Sequence, residues 1–285
     1  MSERVRKPDW LKISIAANER YTRTKSIVDQ HRLHTICSSG RCPNLGECWG
    51  RGTATFMIAG DICTRSCKFC NTRTGRPLPL DPDEPQRVAQ SVSLMQLSHA
   101  VITSVDRDDL PDLGAAHWVA TVNAIRRLNP DTTIEVLIPD FQGKSGLIAS
   151  VIEAAPHIIA HNMETVSRLT PQVRSAARYD TSLAVLRQVA DSGITGKSGI
   201  MVGLGETPQE VATLMDDLRG AGCRILTIGQ YLQPTHRHYP VAEYVHPDRF
   251  AEYRQLALGK GFEQVESAPL VRSSYHADKY IHPHR

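Results

Sequence analysis

The chain has 285 residues, of which 41% are hydrophobic and 22% charged, with a formal net charge of +3. That length buries a full core and suits one large α/β domain, while so small a charge, with no Lys/Arg run interleaved with aromatics, argues against nucleic acid as a partner. No apolar stretch is long enough to span a membrane, and the opening Met-Ser-Glu-Arg-Val-Arg-Lys-Pro-Asp-Trp lacks the apolar run of a signal or transit peptide, so a cytoplasmic location is expected.

The first thirty or so residues are locally basic, with Arg4, Arg6, Lys7, Lys12, Arg20, Arg23 and Lys25. Such a charge either steers an acidic protein partner or marks a solvated arm. Six of the seven cysteines follow in one window, as Cys37-x4-Cys42-x5-Cys48 and Cys63-x3-Cys67-x2-Cys70, with Thr53–Ala59 between them reading as a buried strand. Thiolates bind soft iron centres, and each triplet is one ligand short of the four that a closed tetrahedral site or a cubane cluster requires. A position left open on the metal points to chemistry rather than scaffolding. A structural zinc site would need a well-spaced fourth Cys or His nearby, and dense thiols without an export signal fit a reducing compartment better than disulfides.

A helix is predicted from near Pro85. Strands are then expected at His99–Val105, Thr133–Ile138, His157–Ala160, Gly199–Val202 and Ile225–Ile228, separated by helical patterns near Ala115–Leu128, Gly146–Ala154, Ser182–Asp191 and Thr207–Arg219. Six strand–helix units make a parallel sheet, either a barrel or an open doubly wound sheet, with its functional loops at the carboxyl ends of the strands. The second cysteine triplet follows the first strand. Asn162 and Glu164 follow the fourth, Ser104 and Asp106 the second. Gly203-Leu-Gly-Glu-Thr207 follows the fifth, where small residues let backbone approach a ligand; no Walker lysine supports a phosphate loop. Gln230 ends the sixth and lines a pocket or serves packing. Cys223 stands alone as a buried hydrophobe, and His236, His238, His246, His282 and His284 form no zinc-binding pair on a helix.

The loop Cys63-Thr-Arg-Ser-Cys-Lys-Phe-Cys70 resembles the radical S-adenosylmethionine (SAM) superfamily, in which an aromatic, here Phe69, precedes the last cysteine. More specifically, Cys37-Ser-Ser-Gly-Arg-Cys-Pro-Asn-Leu-Gly-Glu-Cys48, Gly52-Thr-Ala-Thr-Phe-Met-Ile58, Val101-Ile-Thr-Ser-Val-Asp-Arg-Asp-Asp-Leu110 and Arg272-Ser-Ser-Tyr-His-Ala277 resemble the lipoyl synthase family, over nearly the whole chain. The resemblance implies an α/β fold, a partial (β/α)6 TIM-like barrel over residues 51–262. An N-terminal extension (1–50) and a C-terminal one (263–285, with Arg-Ser-Ser-Tyr) would carry an auxiliary iron–sulfur cluster.

It also implies insertion of two sulfur atoms, at C6 and C8 of an octanoyl chain amide-linked to a lysine of a lipoyl carrier domain or glycine-cleavage H protein. Cys63, Cys67 and Cys70 would hold a [4Fe-4S] cluster whose open iron is chelated by SAM. Reductive cleavage of SAM would give the 5′-deoxyadenosyl radical, two SAM molecules serving each lipoyl group. Cys37, Cys42 and Cys48, with Ser274 preferred to Ser273 as fourth ligand, would hold a second [4Fe-4S] cluster, dismantled as sulfur donor. Asn162 and Glu164 are the implied polar contacts to SAM, with Ser104 and Asp106 near its ammonium and Phe69, Gly203, Gly205 and Gln230 beside it. A ferredoxin or flavodoxin reductant, a cluster-repair carrier and a monomeric enzyme complete the expectation. The runner-up is a related sulfur-insertion enzyme acting on a small free substrate, as biotin synthase does, which would spread its second set of ligands along the strands. A purely structural metal-binding module is the reading from another class.

Overall fold

The computed structural model describes residues 6–12, 18–275 and 277; Arg4, His276, His282, His284 and the extreme ends of both expected extensions lie outside them. The strands run β1 (His34–Thr35), β2 (Thr55–Ile58), β3 (Ile62–Cys63), β4 (Arg73–Thr74), β5 (His99–Ser104), β6 (Thr133–Leu137), β7 (Ile158–Ala160), β8 (Thr195–Val202), β9 (Ile225–Gln230) and β10 (Gln264–Ser267). Between them lie the helices α1 (Glu19–Gln30), α2 (Ile36–Ser39), α3 (Leu45–Gly50), α4 (Glu84–Leu94), α5 (Ala115–Leu128), α6 (Ser145–Glu153), α7 (Thr170–Val173), α8 (Tyr179–Asp191), α9 (Pro208–Gly220) and α10 (Pro247–Gly259).

Every residue of β2, β7 and β9 is buried, as expected of strands covered on both faces. The helices that cover them are amphipathic. α9 starts at a capping box in which Thr207 and Glu210 satisfy each other's backbone, with Pro208 pre-set for the first turn. It then buries Val211, Leu214, Met215 and Leu218, a helical stripe in which each side chain contributes about 1.5–3 kcal/mol.

Among the described residues eight strands form one sheet in the order β1-β2-β5-β6-β7-β8-β9-β10, and β3 pairs with β4 apart from it. β1 is antiparallel to β2, and every later neighbour is parallel. Spatial order follows chain order without reversal. A doubly wound sheet reverses at a switch point, so that alternative is set aside in favour of a singly wound, partial barrel with β1 and β10 as its edges. The strand expected at Gly199 begins four residues earlier, at Thr195, and α10 and β10 arise where no element was predicted.

A charged pair spans the sheet. Lys197 of β8 lies 2.7 Å from Glu135 of β6, across β7, and both are fully buried. His99 Nε2 stands 3.5 Å from the same carboxylate. Burial opposes the charge on Glu135, but Lys197 prevails and holds its pKa down.

Candidate active site

The cysteine loop is gripped at its root. After β2 the chain turns through Ala59 (φ 67°) and Gly60 (φ 94°), a left-handed conformation that an alanine adopts only when held. Glu84 Oε2 accepts from Ala59 N at 2.8 Å and from His117 Nε2 at 2.6 Å, while Arg107 Nη1 donates to Ala59 O. Within the loop, Arg65 is buried and reaches three carboxylates that follow β5 and β6: Asp108 through two bonds of 2.7 and 2.9 Å, Asp140 at 2.8 Å and Asp106 at 3.3 Å. Burial works against the guanidinium, and these carboxylates outweigh it, so Arg65 stays charged. Cys63 Sγ accepts from the backbone N–H groups of Arg65 and Asp106, and Cys67 Sγ sits 3.6 Å from Ser175 Oγ.

The three thiols open into a cavity of about 340 Å3, within the range of small-molecule sites. Phe69, Ser104, Asp106, Asn162 and Glu164 line it with them. Glu164 is the most informative wall residue. Its φ is 66°, its backbone bonds on both sides to β8 (N to Gly199 O, O from Met201 N), and burial raises its pKa against the pull of Arg174. Asn162 Oδ1 is buried and has no hydrogen-bond partner among the described residues. Gly199 makes room for it, since a Cβ there would stand 2.8 Å from that oxygen and 2.7 Å from Thr227 Oγ1. Asp106 is pushed up to about 6 by burial, which outweighs Arg65.

A smaller cavity, about 50 Å3, is lined by Cys37, Cys42, Cys48 and Ser274. Ser274 Oγ accepts from Thr55 Oγ1 of β2 at 2.8 Å, whereas Ser273 lines the larger cavity instead. The carboxyl-terminal segment lies against the end of β9 at Gly229, where a Cβ would sit 2.1 Å from Val271 O. Asn44 Nδ2 donates to Leu270 O, and Tyr275 OH donates to Glu47, binding the segment to the cysteine-rich arm. Arg272 lines both cavities. Burial lowers its pKa, opposed by Cys42 and Glu164. Burial raises the thiols too, Cys37 to about 11 and Cys48 to about 12 with repulsion from neighbouring thiols, and Cys63 to about 12 with repulsion from the Asp106 carboxylate.

Gly203, Gly205 and Gln230 do not line either cavity. Gln230 is buried and spends its amide on the 239–245 loop, donating to Glu243 O and accepting from Val245 N; Gly203 packs on it so closely that a Cβ would stand 2.2 Å from its Nε2. Sequence reasoning, in turn, overlooks Arg65, Arg174 and Arg272. The available signal is an arginine between the first two cysteines of the loop, with Asp106 and Asp108 after the next strand.

The donor set suits iron–sulfur clusters. Among the described residues no three His, Cys, Asp or Glu side chains converge on one point to hold a single metal ion, yet each cavity carries three thiols on its wall, as ligation of separate corners of a cluster requires.

The Radical SAM superfamily matches residues 57–218, from β2 to α9. Lipoyl synthase of Bacteroides fragilis is 76% identical over 279 residues, 98% of this chain and 97% of that protein. Lipoyl synthase of Porphyromonas gingivalis is 61% identical over 282 residues, 99% of this chain and all of that one. The chain belongs to the lipoyl synthase family. Membership brings radical SAM sulfur-insertion chemistry and its cofactors, SAM and two [4Fe-4S] clusters. Among solved structures, Streptococcus suis SuiB bound to S-adenosylmethionine is similar with a TM-score of 0.61 at 12% identity, over 80% of this chain and 55% of that one. Methylornithine synthase gives 0.54 at 13%, over 74% and 70%. At such identities the likeness concerns the fold. No helix among the described residues is long and apolar enough to cross a membrane.

Proposed function

We propose that the two cysteine cavities divide the labour of lipoyl formation. In this reading Cys63, Cys67 and Cys70 hold the SAM-binding cluster, and Cys37, Cys42, Cys48 and Ser274 hold the auxiliary one. What supports it is the presence of two separate three-thiol cavities joined by Arg272, with a serine hydroxyl in the smaller one. When loaded, the first centre supplies reductive cleavage of SAM and hydrogen abstraction from the acyl chain, and the second supplies the two sulfur atoms for C6 and C8.

The chain's own residues bind and orient. The unpartnered Asn162 Oδ1 accepts from a ligand N–H or O–H, and Glu164 faces a cationic ammonium, which would restore its charge. Ser104 and Asp106 flank that position from the end of β5. Phe69 and Met201 help to close the cavity walls against water. Ser274 brings a hard oxygen donor among soft thiolates, a weaker match for iron and so a ligand able to leave. Gly203, Gly205 and Gln230 act one layer out, by bracing the 239–245 loop. Residues 1–50 and 263–285 serve as extensions around the 51–262 core.

The substrates are octanoylated lipoyl carrier domains and the octanoylated glycine-cleavage H protein, the reductant is a ferredoxin or flavodoxin, and a repair carrier rebuilds the spent cluster in the cytoplasm around a monomeric enzyme. The test is iron and sulfide content with Mössbauer spectra of anaerobically reconstituted protein, wild type against Cys37→Ala/Cys42→Ala/Cys48→Ala. Two four-iron clusters should fall to one, with SAM cleavage kept and lipoyl formation lost. A variant that still forms lipoyl groups would refute the division.

A further inference from the structure

Around the mouth of the larger cavity four loops meet, and their charge is one-sided. Segments 38–46, 66–80, 170–178 and 231–242 each supply wall residues. They form one continuous rim: Asn71 Nδ2 donates to Ser39 O, Lys68 N to Val173 O, Tyr239 N to Lys68 O, and His238 Nε2 lies 3.1 Å from Cys70 O. None of these four segments contains an aspartate or glutamate; exposed acids follow just beyond their ends, at Glu47, Asp81, Asp180 and Glu243, of which Asp81 is paired with Arg87 and Glu47 accepts from Tyr275. They do carry Arg41, Lys68, Arg73, Arg76, Arg178 and Arg237, all exposed. Arg73 pairs with Asp61, just outside the rim, whereas Arg41, Lys68, Arg178 and Arg237 make no ion pair among the described residues. Elsewhere on the surface several cations are matched, as Lys25 is with Asp29, Arg224 with Glu263 and Lys260 with Asp216.

Beyond its last wall residue, Thr74, segment 66–80 carries the most exposed large apolar side chain described, Leu78, at 74% exposure between Pro77 and Pro79. An apolar spot next to a collar of like charges, most of them without an ion pair, is the arrangement of a protein contact that is steered by charge and anchored by burial.

We infer that this collar docks an acidic face of the carrier domain, the acylated lysine passing through the collar into the cavity; the inference rests on the lipoyl-forming reading above. A lysine joined to its acyl chain through an amide has lost its ammonium, so the cationic rim does not repel it, while carboxylates around it are drawn in. Long-range attraction of this kind acts on association and weakens with salt.

Arg178→Glu/Arg237→Glu reverses two exposed charges whose side chains hold nothing else in place, and Arg178→Gln/Arg237→Gln removes them. Calorimetric titration of octanoylated carrier into the full chain at low salt should show Kd weakened about tenfold by the reversal and less by the neutral pair, with a shallower salt dependence in both. With loaded enzyme, KM for the carrier should rise in step, while KM for a short uncharged octanoyl-lysyl peptide changes by less than about twofold. Equal Kd and equal salt dependence in all three proteins would overturn the collar while leaving the reaction intact. If loaded wild-type enzyme converts neither carrier nor peptide, the lipoyl-forming reading fails, and the collar with it.

Discussion

Replacing Arg65 by methionine removes the cation that holds the cysteine loop to the ends of β5 and β6. The magnitude follows from which of its partners are dry. Asp140 keeps 3% side-chain exposure, whereas Asp106 and Asp108 keep 23% and 24%, so water can partly re-solvate the latter two but not the first. Breaking a buried pair by removing one partner costs about 3–5 kcal/mol. Asp106, already pushed up to about 6, relieves part of this by taking a proton as pH falls, so the loss should be largest near pH 7.5 and smaller at pH 5.5. Urea unfolding of the cluster-free chain measures it. Adding Asp140→Asn to the variant removes the stranded charge and should recover at least about 1 kcal/mol. The same loop carries Cys63, Cys67 and Cys70, so iron per chain after anaerobic reconstitution should fall toward one cluster. A loss below about 1 kcal/mol, or a double variant no more stable than the single one, would show that Arg65 is not the tether.

Lys197→Met should destabilise by about 3–5 kcal/mol, because it strands Glu135 between β6 and β8, and Lys197→Met/Glu135→Leu should regain most of that; urea midpoints that leave both variants level would contradict the argument. Gly229→Ala sets a Cβ 2.1 Å from Val271 O, an overpacking cost of about 1–3 kcal/mol, and should displace Ser274 from its cavity, so that cluster content at the smaller site falls while SAM cleavage persists; unchanged iron content tells against it. His161 is held near a pKa of about 4 by burial, with Arg174 adding to the effect, against 6.5 when unfolded. The unfolded chain therefore binds the extra proton between those values, and stability should drop as pH falls from about 6.5 to 4, by roughly 3 kcal/mol in all, and be flat above pH 7. His161→Gln should flatten that slope in urea titrations, and an unaltered slope would assign the pH dependence to another group.

Much of this was legible in the order of residues. The two cysteine triplets are local in the chain, and metal-ligand chemistry depends on spacing, so the number and kind of centres could be read directly. Five strand starts were close to their observed positions because parallel strands buried on both faces read as continuous apolar runs. The strand at Thr195 begins earlier than expected because Lys197 and Ser198 interrupt its apolar pattern, and Lys197 is paired there with Glu135, sixty-two residues away. Gln230 and Gly203 look like ligand contacts at strand ends, yet their polar atoms are consumed by a loop that only folding brings to them.

By itself the sequence determined the class of chemistry, because thiol spacing and helix and strand periodicity are short-range properties. The tertiary structure decided the rest. It set single rather than double winding, since that depends on the sense of every crossover. It placed Ser274, not Ser273, with the first triplet, since this turns on close approach at Gly229. Finally, it buried Arg65 among Asp106, Asp108 and Asp140 and set Arg272 on the wall of both cavities, since a buried cation is stable only where distant carboxylates converge on it.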